Sequence, residues 1–319
     1  MQGLWAASAE IKKINQFNKC QRESMNDETG RLLGAADIRA IAADAGISPT
    51  KKFGQNFVID PGTVRRIVRE AGVGAGDRVL EVGPGLGSLT LALLETRAHV
   101  TAVEIDPPVA ERLPRTIGEF MPDALDRFRV INEDALKVSA AQLPEFADGE
   151  PFTLVANLPY NVATPIVLTL LERFPNLTKF LVMVQKEVAD RLCADPGSKI
   201  YGTPSVKLAW YGTAERAGLV GRNVFWPAPN VDSALVLFER AEGGDVTANG
   251  AYGTDVDRAF VFELIDAAFG QRRKTLHAAL KKQVPAAAFE RAQIDATRRG
   301  ETLTIGEFIR LAQAVRDVQ

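Results

Sequence analysis

A chain of 319 residues, 46% hydrophobic and 24% charged, has the material for a sizeable core and reads as one large or two modest globular domains. No stretch approaches the apolar length of a membrane span, residues 1–30 lack the apolar core of a secretory signal, and Cys20 and Cys193 fit neither a disulfide framework nor a zinc spacing, so membrane, secreted and disulfide-scaffold classes are excluded and a cytoplasmic location is expected. The formal net charge of −2 carries no nucleic-acid signature overall, but between Arg258 and Arg299 nine basic side chains stand against four acidic ones.

Residues 1–34 are polar, lack strong periodicity and read as a poorly ordered N-terminal extension. A short helix is expected from about Ala35 to Ala45. Asp60-Pro61 opens a second, with Asp60 as N-cap, Pro61 in the first helical position and Val64, Ile67 and Val68 on the buried face. Alternation follows: strand Arg78–Val82, helix Ser88–Leu94, strand His99–Glu104, helix Pro108–Ile117, strand Phe128–Asn132, strand Phe152–Ala156, helix Thr164–Phe174 and strand Phe180–Gln185. Repeated strand-helix-strand units predict an α/β fold with a mostly parallel, doubly wound, Rossmann-like sheet. Ser205–Tyr211 and Ser233–Glu239 are expected to add an antiparallel hairpin at the sheet edge. Ala241–Gly253, rich in Gly, Ala, Thr and Asp, reads as a linker. Beyond it Val256–Phe269, Arg273–Lys282 and Thr304–Val318 have helical periodicity, which gives an α/β domain over residues 35–240 and a small all-α domain over 254–319.

Glu81-Val82-Gly83-Pro84-Gly85-Leu86-Gly87 follows the first strand of that alternation and opens a helix, the place where a glycine turn lets a ligand approach the backbone. The spacing is G-x-G-x-G rather than the dinucleotide G-x-G-x-x-G, and Glu81 ahead of it suits a cofactor with an amino-acid moiety better than a pyrophosphate. Glu104 ends the next strand, where a carboxylate accepts both hydroxyls of a ribose. Asp134, just past the third, is placed to bind an adenine amine. Either acid alone is equally well a solvated strand end; in series they point to S-adenosylmethionine (SAM). His99 and His277 are too few and too separated for a metal cluster, and no metal is expected.

Asn157-Leu158-Pro159-Tyr160 comes directly after the apolar run Phe152-Thr153-Leu154-Val155-Ala156. It reads either as a strand followed by an ordinary turn or as a holder for an aromatic amine. In the second reading the Asn157 side-chain oxygen and the carbonyl of the Leu158-Pro159 bond accept the amine hydrogens, while Tyr160 stacks on the base. Pro159, with its fixed φ, turns the strand end sharply enough to project Asn157 and Tyr160 into one crevice.

With Lys52-Phe53-Gly54-Gln55-Asn56-Phe57, Phe225-Trp226-Pro227-Ala228-Pro229 and Val231-Asp232-Ser233 added to these motifs, the chain resembles the ribosomal RNA adenine dimethylase family, most closely its small-subunit branch, from about Ile47 to Leu311. The resemblance implies a class I SAM-dependent methyltransferase that dimethylates N6 of two adjacent adenosines in the 3′-terminal hairpin of 16S rRNA, within the immature 30S subunit. It implies SAM contacts from Asn56, Val58, Gly83, Gly85, Glu104, Asp134 and Asn157, with Asn157, Pro159 and Tyr160 at the target amine. Phe53 and Phe57 are then either core aromatics or part of a flap over SAM and an extruded base. Arg272, Arg273 and Lys274 are either a solvated helical face or phosphate contacts. A monomer is expected, since the substrate is a large particle. Two positions depart from the family pattern: Val58 replaces the commoner Leu, and Glu133 stands where many relatives have Gly. A large-subunit 23S rRNA dimethylase of the antibiotic-resistance type, and a protein acting mainly as a small-subunit assembly factor, are the competing readings.

Overall fold

The computed structural model describes residues 30–48, 55–248, 252 and 257–318. The chain runs through α1 (Ala35–Asp44), β1 (Phe57–Val58), α2 (Pro61–Ala71), β2 (Arg78–Val82), α3 (Ser88–Glu95), β3 (His99–Glu104), α4 (Pro107–Phe120), β4 (Phe128–Asn132), β5 (Phe152–Asn157), α5 (Ala163–Arg173) and β6 (Leu177–Gln185). It continues through α6 (Lys186–Leu192), α7 (Thr203–Tyr211), β7 (Gly212–Val220), β8 (Phe225–Trp226), β9 (Ser233–Arg240), α8 (Arg258–Gly270), α9 (Leu276–Leu280), α10 (Ala286–Arg291) and α11 (Ile305–Asp317). The start of α2 follows its sequence signals: Asp60 accepts the Thr63 N–H at 2.7 Å, Pro61 occupies the first turn, and Gly72 closes the helix in the left-handed region at φ 69°.

Seven strands form one sheet in the order β4-β3-β2-β5-β6-β9-β7. The five strands from β4 to β6 are parallel, and β9 and β7 add antiparallel at the far edge. Successive strand residues serve different layers. Leu154, Ala156, Phe180 and Val182 pack with α5, α7 and the C-terminal helices, whereas Val155, Leu181 and Met183 pack with α1, α2 and α3. Because both faces are covered, these strands read as continuous apolar runs. The C-terminal helices share the first of these clusters, held by edge-to-face contacts of Trp210 with Phe262 at 5.9 Å and Tyr201 with Phe269 at 6.0 Å. Strand order reverses at β2, which pairs with both β3 and β5, so the carboxyl ends of these strands frame a crevice.

One expected element is overturned. Ser205–Tyr211 is not a strand but most of helix α7. Val206, Leu208 and Trp210 recur every second residue and imitate a strand, yet Pro204 stands in the first turn, and Ser205 Oγ accepts the Gly202 N–H at 3.1 Å and donates to the Arg191 carbonyl at 2.6 Å, which starts a helix. The hairpin partner of β9 is instead Gly212–Val220, an edge strand carrying Thr, Glu, Arg and two glycines, with a bulge between Arg216 and Gly218. Besides β7, strands β1 and β8 and helices α6 and α10 lacked a sequence expectation. The expected helix over Arg273–Lys282 is confined to Leu276–Leu280. Residues 1–29 of the expected extension lie outside the described residues, while Leu32 and Leu33 of it are buried. Among the described residues no helix is long and apolar enough to cross a membrane.

Candidate active site

The glycine turn lies at the switch point. Gly83, Gly85 and Gly87 all have positive φ (70°, 56° and 98°), a conformation that a side chain strains. A Cβ on Gly85 would sit 2.9 Å from the Phe57 ring, and one on Gly83 would lie 3.7 Å from the Asn157 carbonyl oxygen and from Pro159. The turn and the tetrapeptide therefore face each other across one cavity of about 360 Å³, a size suited to a small-molecule ligand. Asn56, Val58, Gly83, Gly85, Glu104 and Asp134 line it together with Asn157, Pro159 and Tyr160.

Two buried carboxyls sit beneath the turn. Glu104 is 5% exposed; Oε1 accepts the Asp106 N–H at 2.9 Å and Oε2 accepts the Gly85 N–H at 3.4 Å. Burial raises its pKa above the usual carboxyl range, and Asp106 adds to the rise. Glu81 accepts the Thr90 hydroxyl at 2.7 Å, and burial, with Glu104 nearby, pushes its pKa up to about 8. It is thus largely a neutral acid at pH 7 in the free protein. Because the folded-state value exceeds the unfolded one, its favourable contribution is full below pH 4.5 and is lost as pH rises through about 8. Thermal melts of Glu81→Gln and the parent between pH 5 and 9 are expected to show the parent losing on the order of a few kcal/mol more across that range. Equal slopes contradict this.

The acceptor side is oriented by a long-range contact. Asn157 Nδ2 donates to the Asn56 carbonyl at 3.1 Å, which leaves Oδ1 as the acceptor in the cavity. The Leu158 N–H donates to the Met183 carbonyl at 3.0 Å, and the Leu158 side chain is buried, so the segment is fixed on both sides. The Tyr160 hydroxyl is buried without a well-formed hydrogen bond; burial raises its pKa, and Ser233 at the start of β9 offsets part of the rise. Tyr160 as a whole is half-buried and lines the cavity.

Segment 55–58 closes the cavity edge. Gln55 donates to Asp106 at 2.7 Å, Ser88 Oγ donates to the Val58 carbonyl at 2.6 Å, and Phe57 pairs with Trp226 in the small sheet. Phe57 is a buried aromatic that also lines the cavity. Phe53 lies outside the described residues. Ile105, 45% exposed at the cavity, was not singled out in the sequence, although an apolar residue directly after the acid that ends a strand is a signal that identifies it.

Arg272, Arg273 and Lys274 lie away from the cavity, just past α8. Arg273 and Lys274 are exposed. Arg272 donates to the Tyr201 and Lys199 carbonyls at 2.9 and 2.7 Å and pairs with Glu301 at 2.9 Å.

Acceptor carboxylates at the ends of β3 and β4, a glycine turn open to the cavity and an amide oxygen opposite it form a donor set that suits a nucleoside carrying a free amine and hydroxyls. On this fold they define a class I SAM-dependent methyltransferase, and SAM is its methyl donor. The chain belongs to the ribosomal RNA adenine dimethylase family, whose model matches residues 48–317, and its substrate is ribosomal RNA. It is 78% identical over 298 residues to the ribosomal RNA small subunit methyltransferase A of Bifidobacterium adolescentis, covering 93% of this chain and 98% of that protein. Among solved structures it is similar to the 23S rRNA methyltransferase ErmE, with a TM-score of 0.59 and 26% identity over 82% of this chain and all of that one. A dimethyladenosine transferase from Plasmodium falciparum shares the fold, with a TM-score of 0.65 and 23% identity over 82% of this chain and 98% of that one.

Proposed function

We propose that this enzyme dimethylates N6 of two adjacent adenosines in the 3′-terminal hairpin of 16S rRNA, acting as a cytoplasmic monomer on the immature 30S subunit. The observation that carries the choice of RNA is the 78% identity, across nearly the whole of both chains, to a protein named for the small subunit. The likeness to ErmE, at 26%, is much weaker support for a large-subunit target.

The exocyclic amine of adenine is a poor nucleophile because its lone pair is delocalised into the ring, so the site's task is to hold and orient it. When bound, SAM supplies a methyl group on a cationic sulfur. Asn157 Oδ1 and the Leu158 carbonyl accept the N6 hydrogens and aim the lone pair into the cavity. The Tyr160 ring stacks on the target base, and Pro159 keeps the two groups on one side of the turn. Glu104 would accept the ribose hydroxyls of the donor and Asp134 its adenine amine, while Asn56, Val58, Gly83 and Gly85 shape the remaining wall. The family resemblance gives Phe53, outside the described residues, a share in base stacking. Stacking of this kind contributes roughly 1–3 kcal/mol per base, enough to offset much of the cost of extruding a nucleotide.

In this reading the helical segment beyond residue 257 holds the RNA, with the exposed Arg273 and Lys274 in a different role from Arg272. The double variant Arg273→Ala/Lys274→Ala is expected to weaken binding to 30S particles and to flatten the dependence of log K on log salt by about one unit per lost phosphate contact, at unchanged melting temperature. Arg272→Ala is expected instead to lower the melting temperature by a few degrees, since it removes charged hydrogen bonds to Tyr201, Lys199 and Glu301. Filter binding across a salt series, together with calorimetric melts, separates the two roles.

Primer extension across both ribosomal RNAs from a strain lacking the gene tests the assignment. A methylation stop that disappears from 16S rRNA supports it. A stop that persists there, or is lost from 23S rRNA instead, defeats it.

A further inference from the structure

Glu133 is the first residue after β4. Its own N–H donates to the Glu104 carbonyl at 3.0 Å, beside the Asn132 side chain at 2.8 Å, which ties the end of β4 to the end of β3. Its carboxylate is a bridge: Oε1 accepts the Asp134 N–H at 2.8 Å and Oε2 accepts the Gln142 side-chain N–H at 2.9 Å. Gln142 in turn accepts the Ser139 N–H and hydroxyl, both at 3.0 Å. Asp134 Oδ1 is occupied by the Leu136 N–H at 2.9 Å, and among the described residues no donor reaches its Oδ2. Glu133 and Asp134 both line the cavity, whereas Gln142 does not. Two adjacent acidic residues thus line one cavity, and the carboxylate of the first accepts the backbone N–H of the second.

We propose that Glu133 is a specificity-positioning residue: its bridge from Gln142 to the Asp134 amide holds Asp134 Oδ2 toward the cavity, so that the wall accepts a base bearing an exocyclic amine and rejects one bearing a carbonyl at the same place. The proposal rests on the reading of Asp134 as the acceptor for the donor's adenine. The chemistry is that of matched polarity. An amine donates to carboxylate oxygen, while a carbonyl oxygen placed there meets another acceptor with no donor between them. A residue without a side-chain acceptor at position 133 leaves the Asp134 N–H without that partner and removes the tie to Gln142, so the Asp134 carboxylate is steered by the Leu136 N–H without the second anchor on its backbone.

Isothermal calorimetry with S-adenosylhomocysteine and S-inosylhomocysteine, which differ in carrying an amine or a carbonyl at that ring position, tests this without turnover. The parent is expected to prefer the adenine compound strongly. Glu133→Ala is expected to weaken adenine-compound binding by about tenfold and to narrow the preference by a similar factor. Gln142→Ala, which leaves the cavity wall untouched, is expected to shift both in the same direction by less, and the double variant should match Glu133→Ala alone. If Glu133→Ala and Gln142→Ala keep the parental preference while Asp134→Asn collapses it, the role of Glu133 is overturned and that of Asp134 survives. A preference unchanged in Asp134→Asn overturns the reading of Asp134 and the proposal with it.

Discussion

Replacing Asn157 by Ala is expected to lower the rate of methyl transfer by about 10²–10³, the cost of losing one preorganised polar group at a reacting centre, while affinity for S-adenosylhomocysteine falls by less than about tenfold. The asymmetry follows from where the amide is held. Its Nδ2 is engaged by the Asn56 carbonyl, so the side chain is fixed before any nucleic acid arrives, and Oδ1 is the group left to accept from the target amine. Asn157→Asp is not a rescue. It keeps an acceptor but turns an oxygen toward the Asn56 carbonyl, where two acceptors repel. Single-turnover tritium transfer to 30S particles, paired with calorimetry, reads both quantities. A variant that binds the adenosyl compound 100-fold more weakly and transfers at the parental rate once saturated would move Asn157 from the acceptor to the donor side of the reaction.

The second large effect is expected at Glu104. Glu104→Ala should weaken binding of S-adenosylhomocysteine by at least about 10², since hydrogen bonds to a charged group contribute roughly 1.5–3 kcal/mol each and two ribose hydroxyls are at stake. The residue is already desolvated, with Asp106 and Gly85 N–H groups on its two oxygens, so it is oriented and pays little further reorganisation. Burial raises its pKa, which sets the pH behaviour. The carboxylate is lost as pH falls through that raised value, so affinity should decline at a higher pH than an exposed glutamate would give. Stability moves the other way. A raised folded-state pKa means that stability is lost as pH increases, and Glu104→Gln should bind poorly yet melt no lower than the parent at pH 8. A Glu104→Gln variant that melts well below the parent while binding normally would make the residue structural.

The parallel core was legible because its central strands β2, β3, β5 and β6 are largely buried on both faces. Glu104, Asp134 and Asn157 sit at or just past strand ends, where sequence position alone puts them at the crevice. The misread segment marks where pattern fails. Val206, Leu208 and Trp210 alternate because α7 is covered by the C-terminal helices as well as by the sheet, so no amphipathic stripe betrays it, and the true edge strand is too polar and glycine-rich to register. Side-chain networks were also hidden. Nothing in the spacing shows that the Asn56 backbone orients Asn157, that Gln142 braces Glu133, or that Arg272 is committed to Tyr201, Lys199 and Glu301 while Arg273 beside it is exposed. Charge is visible in a sequence; whether it is already spent inside the fold is not.

The most direct test is SAM-dependent tritium transfer by the purified protein to 30S particles from a strain lacking the gene, to 50S particles and to duplex DNA, with the labelled nucleosides separated after digestion. Label confined to small-subunit RNA and recovered as N6,N6-dimethyladenosine is the predicted result. Label in 50S RNA or DNA, or none in 30S particles, would contradict it.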